Sequence, residues 1–215
     1  MKIKIVSLFT ALGLITNAAV FGNSAKIGYA SDFFYRGEQK ALESFQSSID
    51  FGTEVAGLEA SLHACTNQSV DSGVDSYGLA AGLGTTVLDG FLSAYVGFNH
   101  FEDVPGSALS EVAVKLSVDT LLDPSLAIFR NIDDDLYTFE GSISHDIELQ
   151  FADLGLDASI GNTDVTTSNS RDYYSVGAEL SRSIGSAVAS LGVDLVDADD
   201  IDREFVFAGA LTFEF

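Results

Sequence analysis

The sequence predicts an all-β fold: a transmembrane antiparallel up-and-down β-barrel of about twelve strands. Three observations predict it. Apolar residues alternate with small or polar ones along most of the 215 residues. Aromatic residues gather near the two ends of these alternating segments. The final segment, Phe205-Val-Phe207-Ala-Gly209-Ala-Leu211-Thr-Phe213-Glu-Phe215, is aromatic or apolar at every second position apart from one glycine, and ends on an aromatic. A last strand of this kind offers an apolar stripe to lipid and a small or polar stripe to a lumen.

Residues 1–25 read as a cleaved secretory signal. Met1-Lys2-Ile3-Lys4 is a basic start, Ile5 to Ala19 is largely apolar, and small residues follow at Gly22, Ser24 and Ala25. The pattern is too short and wrongly flanked for a membrane anchor. Beyond it no stretch approaches the ~20 apolar residues of a spanning helix. Residues 26–215 are therefore read as one outer-membrane β-barrel. Cys65 is the single cysteine, so the chain closes without an intrachain disulfide.

The alternating segments run at 27–36, 45–55, 58–66, 75–87, 91–101, 110–119, 126–133, 136–148, 153–162, 173–182, 187–196 and 204–215. Each is about the length that a tilted barrel strand needs to cross a bilayer. Tight connections fall on the periplasmic side, at Val55-Ala-Gly57, Leu88-Asp-Gly90 and Ser183-Ile-Gly185. Longer external loops are expected at Gly37–Ser44, Thr66–Val74, Glu102–Leu109, Thr163–Arg171 and Asp197–Arg203. Two connections depart from the rule: Asp133-Asp-Asp135 is tight yet external, and Thr120–Pro124 is longer yet internal.

One parity is lipid-facing. It includes Ile27, Tyr29, Phe33 and Tyr35 at the start, and Leu191, Val193 and Leu195 near the end. Tyr35, Phe45, Tyr77, Phe98, Tyr137, Tyr174 and Phe205 form an external girdle; Phe51, Phe213 and Phe215 form a periplasmic one. Two girdles mark the two interfaces of a membrane barrel. A soluble β-sandwich, the competing fold, gives aromatics no reason to collect at strand ends.

The opposite parity is rich in glycine, which suggests a wall that leaves room. It also carries Asp32, Asp50, Glu54, Glu59, Glu111, Glu140, Asp157, Glu179 and Asp194, against Lys26, Arg36 and Lys115. These residues are the candidate lumen-lining and solute-binding set. Such a lumen attracts cations and repels anions. The competing reading is a salt-bridged network that plugs a narrow barrel. The whole chain is acidic, with a formal net charge of −22. Loss of Lys2 and Lys4 with the signal takes −22 to −24. Nucleic acid is a poor partner for such a chain.

No catalytic residue is assigned, and the chain is read as no enzyme. Ser142, Ser144, His145 and Asp146 have the residue types of a triad, but strand neighbours point to opposite faces. His63, beside Ser61 and Glu59 on one strand face, reads as lumen wall. No cofactor or metal is assigned either. The acid runs 133–135 and 197–202 offer carboxylates but lack the glycine and distal Glu of a dedicated calcium loop.

Ser31-Asp-Phe33-Phe-Tyr35-Arg36-Gly37 resembles the S-x-Y-x-x-R-G signature of the Gcw_chp-type porin-like family of uncharacterised bacterial outer-membrane proteins. Residues 124–133 and 136–145 resemble that family's middle hairpin. Phe33 stands where the signature has Tyr, Arg130 where the hairpin often has Tyr or an acid, and Trp is absent. The resemblance implies an outer-membrane barrel and says little of substrate.

The expected function is passive passage of small cationic or neutral solutes through an acidic lumen in a Gram-negative outer membrane. The alternative is a non-conducting structural or surface-interaction barrel. Expected partners are outer-membrane lipids, those solutes, and the barrel-assembly machinery, which would engage the C-terminal strand ending at Phe215.

Overall fold

The computed structural model describes residues 23–70, 75–104, 106–166, 168–199 and 201–215. Most of the expected signal segment lies outside these residues. Twelve strands run in chain order: β1 (Ser24–Tyr35), β2 (Glu38–Val55), β3 (Leu58–Ser69), β4 (Asp75–Val87), β5 (Leu92–Val104), β6 (Ala108–Val118), β7 (Ser125–Asn131), β8 (Tyr137–Glu148), β9 (Asp153–Thr166), β10 (Asn169–Ile184), β11 (Ala187–Ala198) and β12 (Ile201–Glu214). Each strand pairs antiparallel with its sequence neighbours, and β12 closes on β1, for instance Ile27 opposite Leu211 and Tyr29 opposite Gly209. Closure leaves no open sheet edge, so no ladder is left to pair with another chain.

The alternation that predicts strands also sets which side chains meet lipid. Ile27, Leu62, Leu79, Ile160, Leu191 and Phe207 are all exposed on the outer wall. Leu191 is 70% exposed, while Asp194, three residues on and on the other face, is 3% exposed. A water-soluble fold has the opposite arrangement. The external aromatics Phe45, Tyr77, Phe98, Tyr137, Tyr174 and Phe205 are exposed on the same wall, as are Phe51, Phe213 and Phe215.

The external connections differ from expectation. β1 turns directly into β2 through Arg36 and Gly37, and Glu38–Ser44, within the segment expected as a loop at Gly37–Ser44, is strand. Strands β3, β5, β9 and β11 also run on past 66, 101, 162 and 196. Their polar residues pair across hairpins that continue the sheet outward, so a polar composition looked like loop where it is ladder. The Asp133–Asp135 turn and the longer Thr120–Pro124 connection are where the sequence put them.

The Arg36-Gly37 turn has φ of 51° and 73°. Two positive φ values describe the tight turn whose twist matches a hairpin. Gly37 has a second requirement. A Cβ there would lie 2.7 Å from the Cβ of Tyr173 and 2.9 Å from that of Ala198, on strands far from β1 in sequence. The tip of this hairpin therefore bends into the barrel. A register shift at Phe33/Phe34 leaves Lys40 as an extra residue on β2. Bulges of this kind bend and re-aim a strand.

Candidate functional site: the lumen and its external mouth

The inward tip of the β1–β2 hairpin dominates the external mouth. Phe34, Tyr35 and Arg36 are buried there. Phe33 and Tyr35 are thus not lipid-facing as the alternation suggested. The ring of Tyr35 stacks on Phe101 of β5 at 5.4 Å, and that of Phe33 lies 6.3 Å from it. The parity rule holds for a strand that follows the wall and fails where the bulge lifts the chain off it.

Arg36 makes the central contact. It pairs with both carboxylate oxygens of Glu111 on β6, Nη2 reaching Oε2 at 2.7 Å. Its Nη1 donates to Oγ1 of Thr138 on β8 at 3.4 Å, and the guanidinium lies 4.0 Å over the ring of Phe129 on β7. The Tyr35 hydroxyl donates to the same Glu111 at 3.0 Å. Arg36 and Glu111 are 4% and 2% exposed. A bidentate, aromatic-capped geometry is what makes a buried guanidinium–carboxylate pair tolerable. Further contacts ring the tip: Lys40 to Asp103 at 3.4 Å, Gln39 to Glu204 at 3.3 Å, and Arg171 to Glu38 at 3.9 Å.

Asp32 accepts a hydrogen bond from Gln39 at 2.9 Å, just below the tip. Glu140 accepts from the Tyr173 hydroxyl at 3.0 Å and lies within electrostatic reach of Lys115. Asp50 meets Nδ1 of His63 at 2.6 Å and the hydroxyl of Ser24 at 3.3 Å. Lys26 interacts with both Asp50 and Glu179. Asp157 and Asp194, on β9 and β11, flank Gly177 of β10 and lean over it. A Cβ at Gly177 would meet Asp194 Oδ1 at 2.2 Å and Asp157 Oδ1 at 2.7 Å. Glu179, next along that face of β10, completes an acidic patch with them. Glu54 and Glu59 stand directly opposite each other on β2 and β3 toward the periplasmic end.

Asp103, Lys40 and Arg171 were missed because the sequence placed them in or beside external loops. Tyr95, Phe101, Phe129 and Tyr173 were missed as lumen aromatics. Part of the room left by glycine is taken by two of these rings: Tyr95 lies across Gly82 and Gly97, and Tyr173 across Gly161. The glycines let bulky rings lie flat along the wall, leaving a narrower lumen than glycine content alone suggests. Among the described residues, no group of three or more His, Cys, Asp or Glu is placed to hold a metal ion.

No sequence profile of a known family matches the chain, and no curated protein matches it. Solved structures do. The chain is similar to the KdgM porin, solved in complex with disordered oligogalacturonate, with a TM-score of 0.59 at 12% identity over 89% of this chain and 99% of that one. It is similar to the NanC porin, with a TM-score of 0.57 at 12% identity over 90% and 100% of the two chains. It is similar to the outer membrane protein Omp33 of Acinetobacter baumannii, with a TM-score of 0.51 at 12% identity over 90% and 98%. At such identity the likeness is one of fold: this chain has the closed antiparallel barrel of outer-membrane porins.

Proposed function

We propose that the protein is an integral outer-membrane barrel that passes small cationic or neutral solutes by passive diffusion. The observation that carries this is the lumen itself. Its inward carboxylates outnumber the inward cations, and Arg36, the one buried arginine among the described residues, is already paired with Glu111. Asp157, Glu179 and Asp194 gather into one acidic patch, and Glu54 and Glu59 into an acidic pair toward the periplasmic end. Fixed charges in a narrow, low-dielectric conduit focus a potential of several kT and so select by sign. An oligogalacturonate, a polyanion, is the wrong sign for this wall, so the ligand of the KdgM porin complex does not carry over. Lipid covers the outer wall. The strand ending at Phe215 would be presented to the assembly machinery, and kinship with the Gcw_chp-type family belongs to the same reading.

A second reading has its own observation. The hairpin tip occupies the external mouth, which favours a barrel that does not conduct and acts through its external surface. Liposome permeation separates the two. Vesicles holding the refolded protein should admit a small neutral sugar and its amino derivative faster than the corresponding sugar acid. Equal entry of all three would reject the acidic-lumen reading. Entry of none would support the second.

A further inference from the structure

Apart from the ring of Tyr35, 4.8 Å from the guanidinium on the hairpin itself, the groups that hold Arg36 belong to the barrel wall. Glu111 (β6), Phe129 (β7) and Thr138 (β8) lie on three successive strands, and the ladder joins them: Ala113 pairs with Phe129, and Phe129 with Thr138. Together they present one carboxylate, one aromatic face and one hydroxyl acceptor, pointing inward. A planar cation with several donors fits a carboxylate two-to-one and stacks on a ring; a compact ammonium does neither as well.

The residue that fills this slot is held at some cost. Arg36 is a non-glycine residue at φ 51°, and such strain is retained where the surroundings over-determine it. The hairpin that carries it to the slot has the β2 bulge at its base.

We propose that the wall slot of Glu111, Phe129 and Thr138 is a binding site for the guanidinium group of an incoming solute, and that Arg36 occupies it as an internal stand-in. A guanidinium solute competes with Arg36, the tip is released, and the mouth widens for passage. The binding half stands without any channel activity; the widening half rests on the function proposed above.

The probe is methylguanidinium chloride, with tetramethylammonium chloride as the control cation. Calorimetry on the folded, detergent-solubilised protein reads binding; a planar bilayer reads conductance. Methylguanidinium should bind Arg36→Ala at least about tenfold more tightly than it binds wild type. The gain should vanish in Arg36→Ala/Glu111→Gln, and tetramethylammonium should show no such pattern. Arg36→Ala should also conduct in larger steps than wild type. Arg36→Gln serves if the alanine variant does not fold. In wild type, methylguanidinium should speed hydrogen exchange of the tip amides.

Equal methylguanidinium binding by the single and double variants would overturn the slot. Binding as expected, with tip exchange and step size unchanged, would overturn the release. Binding with no conductance from any inserted variant would reject the channel reading and leave the slot standing.

Discussion

Leu191→Arg tests the outer wall with a sign that depends on the solvent. Leu191 lies on β11, between Leu180 of β10 and Gly209 of β12, and is 70% exposed. If that face meets lipid, an arginine there costs about 2–4 kcal/mol near the bilayer midplane. That is a loss of roughly 30- to 1,000-fold in the folding equilibrium. If the face met water, the same exposed substitution would fall within about 0.5 kcal/mol of neutral. Leu121 is the control: it is 74% exposed but lies in the connection between β6 and β7, beyond the strands. Leu121→Arg should cost no more than about 1 kcal/mol, as at an interface. The assay is reversible urea unfolding in phosphatidylcholine vesicles, followed by tyrosine fluorescence, since the chain has seven Tyr and no Trp. Equal costs at the two positions would refute the reasoning.

Three further outcomes are expected. Asp157→Asn/Glu179→Gln/Asp194→Asn should lower cation preference, reducing the reversal potential in a salt gradient by about half or more, because these three residues form one inward acidic patch. Gly161→Val should drive Tyr173 off the wall, since a Cβ at Gly161 would lie 2.2 Å from the ring; overpacking of this kind costs about 1–3 kcal/mol, read as a lower urea midpoint. At the exposed external rim, the Tyr174 hydroxyl bonds Asp197 at 2.5 Å and Arg203 lies 3.1 Å from it, and these hold its carboxyl below the ordinary range. That support is present at neutral pH and fades as pH falls through the depressed value. A carbon-13 titration should place the Asp197 midpoint below that of an ordinary aspartate, and Tyr174→Phe should raise it; an unmoved midpoint would contradict the assignment.

The wall was legible because a barrel strand repeats every two residues and each parity meets a different solvent. That rule placed all twelve strands, the exposed Leu191 and the inward Asp194 without any knowledge of contacts. It failed at Tyr35 and Phe33. There a single bulge residue, Lys40, changes the direction of the chain, and one inserted residue leaves no mark on composition. Arg36 was recognised as lumen counter-charge, but its partner was not. Glu111 is far away in sequence, and only closure of the barrel brings β1–β2 opposite β6. The aromatic lumen was hidden for a related reason: nothing local in the sequence shows that the rings of Tyr95 and Tyr173 lie on the glycines of neighbouring strands.

The most direct test of the central claim is the reversal potential of the refolded wild-type barrel in a planar bilayer across a potassium chloride gradient. The acidic lumen predicts small discrete steps whose reversal potential lies on the cation-selective side of zero. A reversal potential at zero or on the anion side would contradict it.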